Sequence, residues 1–271
     1  MPTDSPVSCI SCGAPLRDAG APPSYRPCQQ CGTLHLRPLP SHESNEAFES
    51  AETARSMAAI DDARAGYFAR RLRLLHKAAR ASGTARPRLL DVGCSTGRLM
   101  AAANADGWDV TGIEMAKNLA REARNHNPGA QVITGDILQM DVEPLGRFEA
   151  ITALDVIEHV LDPPAFLHRL VAMQPAGGQL LLQTPNAASL RARLHGSKWN
   201  MRIPEYHFHL FTPDGLAGLL SRNGYQVSHL STASGSGRER GLPGALAAVK
   251  ESALQVGMLG NALVVVAQKS R

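Results

Sequence analysis

The sequence predicts an α/β protein: one mostly parallel sheet with helices on both faces, preceded by a small cysteine-held appendage. Three observations carry this. Two C-x-x-C-G segments lie within the first 32 residues, short apolar runs alternate with helix-forming segments from residue 86 onward, and a glycine-containing turn follows the first of those runs. At 271 residues the chain has room for one full α/β domain and a small addition. Its composition is that of an ordinary folded protein, 44% hydrophobic and 19% charged, with a net charge of +4. That charge permits an anionic partner without requiring one, because a dedicated nucleic-acid binder carries a clustered basic stripe. No stretch approaches the roughly 20 apolar residues of a membrane span, and the N-terminus lacks a basic-then-apolar leader. A cytoplasmic protein is expected.

In a reducing compartment the five cysteines are not expected to form disulfides. Cys9-Ile10-Ser11-Cys12 and Cys28-Gln29-Gln30-Cys31, each followed by a glycine, are separated by fifteen residues. Two residues between thiolates let both sulfurs point into one tetrahedral site, so Cys9, Cys12, Cys28 and Cys31 predict a closed, structural Zn2+ site. The loop between the pairs is too short for its own core, so metal binding would supply most of the folding energy of this unit, residues 1–40. A redox role for either pair lacks the strand–helix context it needs.

After the ribbon a short strand is expected over residues 34–40, then a helical linker or lid over 41–85, with helices at 43–56 and 58–81 lying over the mouth of the site. The basic residues Arg70, Arg71, Arg73, Lys77 and Arg80 read as a solvated helix face. From there strands are expected at 89–92, 109–113, 131–134, 148–153, 178–184, 225–232 and 262–269. Helices are expected at 97–106, 116–125, 163–173 and 213–222. Such alternation implies parallel pairing with crossover helices. Residues 231–240 read as a Gly/Ser-rich loop and 243–258 as a helical insertion.

The chemistry concentrates where apolar runs end. Pro87-Arg88-Leu89-Leu90 leads into Asp91-Val92-Gly93-Cys94-Ser95-Thr96-Gly97, and the next run ends in Gly112-Ile113-Glu114. Glycines let the backbone bend and approach a ligand, and an acid ending the second strand is placed to accept both hydroxyls of a ribose. A dinucleotide fingerprint would need a glycine at Ser95, which disfavours NAD. An acid opening the loop suits a cationic ligand without phosphate, as S-adenosylmethionine is. Leu154-Asp155-Val156-Ile157-Glu158-His159 ends the fourth strand, where ligands of open sheets gather. Here Asp155 and His159 could orient or deprotonate an acceptor. Capping of the following helix is the alternative for His159 and the preferred role for Glu158. Residues 199–213, within an insertion at about 186–213, combine His, aromatic and Pro residues and read as a substrate lid. His207 is its candidate active-site group, Trp199 and Tyr206 its candidate substrate contacts, and His209 is expected to pack or hydrogen-bond.

Taken in order, these segments resemble the class I S-adenosylmethionine-dependent methyltransferases, in particular bacterial members with an N-terminal zinc ribbon, often involved with surface polysaccharides or secondary metabolites. The resemblance covers residues 9 to about 232. It implies a Rossmann-like sheet of seven strands whose last strand runs antiparallel between the fifth and sixth. It places Asp91, Gly93, Cys94, Gly97, Glu114, Met115, Asp136, Ile137 and Leu154 at the cofactor, with Asp136 accepting from the adenine amine and Ile137 packing on its ring. Residues 155–159 also resemble the E-x-x-E-H element of ubiquinone-pathway O-methyltransferases, which can bind a divalent cation. Asp155 replaces the first Glu, which weighs against a metal requirement. Tyr206 stands where the family usually has Glu.

The implied reaction is methyl transfer to a small-molecule or sugar acceptor, free or carrier-bound, with O-methylation favoured over N, S or C. Two competing readings stand beside it. An RNA methyltransferase gripping its substrate with the ribbon is weakened by the presence there of only Arg17, Arg26 and Tyr25 between Cys9 and Cys31. A non-catalytic cofactor-binding scaffold is opposed by the intact run of Asp91, Gly93, Gly97, Glu114 and Asp136. For the ribbon, packing on the core, homodimerisation and carrier docking all stay open.

Overall fold

The computed structural model describes residues 8–16, 24–41, 51–63, 65–75, 85–233 and 258–270. In the ribbon, β1 (Ser24–Pro27) and β2 (Leu34–Arg37) pair antiparallel. Two helices follow, α1 (Ala51–Ala63) and α2 (Ala65–Leu72). Then come β3 (Arg88–Val92), α3 (Arg98–Ala105), β4 (Asp109–Glu114), α4 (Lys117–His126), β5 (Gln131–Thr134), β6 (Ala150–Leu154), α5 (Pro163–Ala172) and β7 (Gln179–Pro185). The insertion carries α6 (Leu190–His195) and β8 (His209–Leu210), and α7 (Pro213–Arg222), β9 (Tyr225–Ala233) and β10 (Ala262–Lys269) complete the described chain.

The main sheet has the order β5-β4-β3-β6-β7-β10-β9. The first five of these run parallel, and β10 is antiparallel to both β7 and β9. This is the seven-stranded arrangement expected, with the last strand antiparallel between the fifth and sixth.

Period-two alternation explains why the sheet is buried on both sides. Leu90, Leu180, Leu182 and Val265 face a core built with Phe166, Leu170, Leu216 and Leu220 of α5 and α7. Their neighbours Leu89, Leu181, Val264 and Val266 face the opposite core, with Leu72 of α2 and Leu99, Met100 and Ala103 of α3. Each central strand therefore reads as a continuous apolar run, the signal that made it visible in the sequence.

Two differences from expectation bear on the site. α1 runs unbroken through Met57, where a break between two helices was expected. Residues 43–50, 76–81 and nearly all of the expected 231–240 loop and 243–258 insertion lie outside the described residues. The ribbon strand β2 pairs not only with β1 but with β8 of the insertion, His35 opposite His209 and Leu34 opposite Leu210. The ribbon is thus joined to the seven-stranded sheet domain through the insertion, by a three-stranded sheet of order β1-β2-β8.

Candidate cofactor and acceptor site

The carboxyl ends of β3, β4, β5 and β6 open into a cavity of about 400 Å3. Gly97 shows why the turn after β3 needs its glycines. It sits at the N-cap of α3 with φ +78°, and a Cβ there would lie 2.4 Å from Asn127 Nδ2 and 3.0 Å from Ala123 Cα. Asn127 donates to the Gly97 carbonyl at 3.0 Å, fastening the turn to α4. Gly97 itself does not line the cavity; Gly93 and Cys94 do.

At the end of β4, both oxygens of Glu114 are already fixed. Oε2 accepts from the Ser95 amide and Oε1 from the Ala116 amide, each at 2.9 Å. Asp91 is 3% exposed and accepts from Thr152 Oγ1 at 2.6 Å. Burial, reinforced by the negative charges of Asp61 and Glu114, pushes its carboxyl up to about 7. Asp136 Oδ1 accepts from the Leu138 amide, and Ile137, Met115 and Leu154 complete this side of the cavity.

Asp61 was not visible as a site residue in the sequence. It comes from α1, is buried, and accepts from Ser95 Oγ at 3.0 Å and Thr96 Oγ1 at 2.6 Å. With Met57 and Ile60 of the same helix it lines the cavity. Nothing in the spacing of Asp61-Asp62 separates it from a surface acid. Five carboxylates therefore line the cavity (Asp61, Asp91, Glu114, Asp136, Asp155) against one strong base among the described residues, Arg98. Such a field favours a cationic ligand.

The far side is made by Asp155, His159, Tyr206 and His207. Asp155 holds φ +57°, a conformation that non-glycine residues rarely adopt and that clusters at functional sites. Its Oδ1 accepts from Gln183 Nε2 at 3.0 Å, while Gln183 Oε1 accepts from Tyr67 Oη and Arg71 Nε of α2. His159 Nδ1 meets the Tyr206 carbonyl and His207 Nδ1 the Met201 carbonyl, both at 2.7 Å. A carbonyl can only accept, so each Nδ1 carries the proton and each Nε2 carries a lone pair in the neutral ring. The rings lie 4.9 Å apart. Burial, then the neighbouring His207, lowers His159 to about 4, and burial lowers His207 as well. Both are neutral near pH 7.

Glu158 does not cap the following helix, contrary to expectation. Asp162 does so, accepting from the Ala165 amide ahead of Pro163 at the first helical position. Glu158 is instead 1% exposed and accepts from Thr184 Oγ1 at 2.9 Å. Burial and the nearby Asp155 hold its carboxyl well above the usual range. Ligand atoms of Glu158, His159 and His207 lie within 4.8 Å of one another. One oxygen and two imidazole nitrogens form a donor set suited to a divalent transition cation. Trp199 lies elsewhere, 3% exposed and packed with Leu34 and Leu210 between ribbon and insertion. His209 packs as expected, its Nδ1 3.1 Å from His35 Nδ1 and its Nε2 3.3 Å from the Leu161 carbonyl.

In the ribbon, the four sulfurs also lie within 4.8 Å of one another, with Cys9–Cys31 at 3.6 Å and Cys12–Cys28 at 3.5 Å. The edge of a tetrahedron of thiolates bound at about 2.3 Å is close to 3.8 Å, so the four residues fit a zinc ion.

Residues 62–230 match a family model described as a methyltransferase domain. Among curated proteins, the ubiquinone biosynthesis O-methyltransferase of Xanthomonas axonopodis pv. citri (strain 306) is 32% identical over 154 residues, covering 53% of this chain and 64% of that protein. The protein of the same name from Alkalilimnicola ehrlichii is 36% identical over 121 residues, covering 42% of this chain and 48% of that one. The chain thus spans less than two thirds of the length of these relatives. Among solved structures, the complex of the Haloferax volcanii Trm112 methyltransferase activator with a putative methyltransferase matches with TM-score 0.60 and 13% identity, covering 86% of this chain and 100% of that one. The magnesium protoporphyrin IX methyltransferase of Synechocystis PCC 6803 with bound SAH matches with TM-score 0.58 and 15% identity, covering 83% and 97%. The structural matches agree in fold, and the family model spans more than half of the sequence: this chain belongs to the class I S-adenosylmethionine-dependent methyltransferases.

Proposed function

We propose that the protein methylates a hydroxyl oxygen of a small-molecule or sugar acceptor, with Zn2+ held by Cys9, Cys12, Cys28 and Cys31 in a structural role. The observation that carries the oxygen specificity is the pair of neutral histidines facing the acidic cofactor loop with Nε2 lone pairs. A hydroxyl needs a proton acceptor to become a competent nucleophile, whereas a neutral amine does not. The names of the relatives, O-methyltransferases of ubiquinone biosynthesis, point the same way.

The cofactor supplies an electrophilic methyl group on a cationic sulfur. Asp91, Asp61 and Glu114 provide the negative field that favours it, Glu114 accepts its ribose hydroxyls, and Asp136 with Ile137 holds the adenine. His159 or His207 would take the acceptor's proton at Nε2, leaving its oxygen free to accept the methyl group that the cofactor would supply. Orientation in the cavity supplies much of the rate, on the order of 7 to 11 kcal/mol in favourable cases. Replacing the histidine that acts as base by Gln should lower kcat about 10²- to 10⁴-fold, with cofactor affinity unchanged in equilibrium dialysis.

Glu158, His159 and His207 would also hold a divalent cation, which would act as a Lewis acid on the acceptor oxygen. Turnover that is lost on chelation and restored by Mn2+ or Fe2+, but not by Zn2+ at ribbon stoichiometry, would favour this second reading. The reaction itself is tested by incubating the protein with methyl-labelled S-adenosylmethionine and cell lysate, then separating small molecules, glycans, RNA and protein. Label in an alkali-stable ether of a small molecule or glycan is expected; label in RNA or protein would overturn the proposal.

A further inference from the structure

We infer that the cysteine ribbon braces from behind the segment that walls the acceptor site, and that Tyr25 is a positioning residue for His207. The inference rests on the placement of His207 on the acceptor side, and it gives the ribbon a role inside the reaction unit. Three contacts carry it. Tyr25 Oη on β1 donates to the His207 carbonyl at 2.6 Å. The amide of Leu36 on β2 donates to the Phe208 carbonyl at 2.9 Å, and β2 then pairs with β8. On the opposite side, the Phe208 amide donates to the Glu158 carbonyl at 2.7 Å. The segment that carries His207 is therefore clamped between the end of the fourth parallel strand and the ribbon.

The ribbon in turn is seated on α7. Thr212 Oγ1, the N-cap of that helix, donates to the Cys31 carbonyl at 2.5 Å. Gly215, in its first turn, lies against Thr33 so closely that a Cβ would come within 2.0 Å of Thr33 Oγ1. A ribbon this small has no apolar core of its own and takes its folding energy from its metal. Loss of the metal would then free β1 and β2, release β8, and leave the His207 carbonyl without its Tyr25 donor. The hydrogen bonds that fix the acids of the cofactor loop come from within the sheet domain: the Ser95 and Ala116 amides hold Glu114 and Thr152 Oγ1 holds Asp91. The consequence is a metal dependence specific to the acceptor half of the site.

The test needs no acceptor. Hydrogen exchange is followed by mass spectrometry on the full chain carrying Zn2+, and again after the zinc is removed by a chelator under reducing conditions. Backbone amides of residues 207–211 should exchange at least tenfold faster in the stripped protein. Amides of β3 and β4 should be unchanged, and S-adenosylmethionine affinity by calorimetry should stay within about twofold. Tyr25→Phe, which keeps the ring and removes only the donor, should shift the imidazole NMR signals of His207 and leave cofactor affinity unchanged. Gly215→Ala, which displaces the ribbon without touching a cysteine, should reproduce the faster exchange at 207–211. Unchanged exchange at 207–211 on zinc removal would overturn the inference, as would a loss of protection spread equally over β3 and β4. His207 signals identical in Tyr25→Phe and the parent would remove Tyr25 from the role. Since none of these readouts uses turnover, they decide the matter whether or not a methylated hydroxyl product is ever found.

Discussion

Asp91 is an acid where a buried acid is costly. Its carboxyl sits up to about 7 because burial penalises the charged form and Asp61 and Glu114 add negative charge, with the Thr152 hydroxyl opposing both. A folded-state value above the unfolded one means that the native protein holds its proton longer. This group therefore destabilises the ligand-free protein progressively as pH rises from about 4 to about 7, with the full cost present above that. Asp91→Asn should accordingly raise the thermal midpoint of the ligand-free protein at pH 8, by up to about 4 kcal/mol in stability for a three-unit shift, while cofactor binding is lost. In the parent protein, affinity for S-adenosylmethionine should rise with pH up to about 7 and then level off, because a cation binds the ionised carboxylate. Both are read by scanning fluorimetry and calorimetry across pH. His159 should contribute no acid limb in this range, since burial keeps it neutral down to about 4. At this scale the sequence was legible where residues fall at strand ends in series, as Asp91, Glu114 and Asp136 do. Asp61 and Tyr25 were not, because a single acid in a helix or a tyrosine in a four-residue strand carries no spacing. Glu158 was misread because Asp162, followed by two prolines, is the stronger capping signal four residues on.

Among the elements, the seven strands were visible because each central strand is buried on both faces and so reads as an unbroken apolar run. The two short strands, β1 and β8, were invisible for the opposite reason: β8 has two residues and no period, and its partner lies some 170 residues away in sequence. Helix α1 makes a prediction of its own. Its hold on the cofactor turn is Asp61 with the Ser95 and Thr96 hydroxyls, and hydrogen bonds to a charged group are worth about 1.5 to 3 kcal/mol each. Asp61→Ala should loosen α1, giving faster proteolysis within residues 51–63. S-adenosylmethionine should bind roughly 10-fold or more weakly, and midpoint stability of the sheet domain should move little.

For the molecule as a whole, ribbon, insertion and sheet form one working unit. The ribbon meets the domain through β8 and α7, and Trp199 packs with Leu34 and Leu210 at the junction. No described helix is long and apolar enough to cross a membrane. Cys12→Ser should lower zinc content below one per chain by plasma emission spectrometry and lower acceptor turnover far more than cofactor binding. The central claim is that the acidic cavity between β3, β4 and β6 takes S-adenosylmethionine. It is tested most directly by calorimetric titration of the cofactor into the parent protein and Glu114→Ala at pH 8. Binding at one site per chain, weakened at least 30-fold in Glu114→Ala, is the predicted result; equal affinity in both proteins, or no binding to the parent, would contradict it.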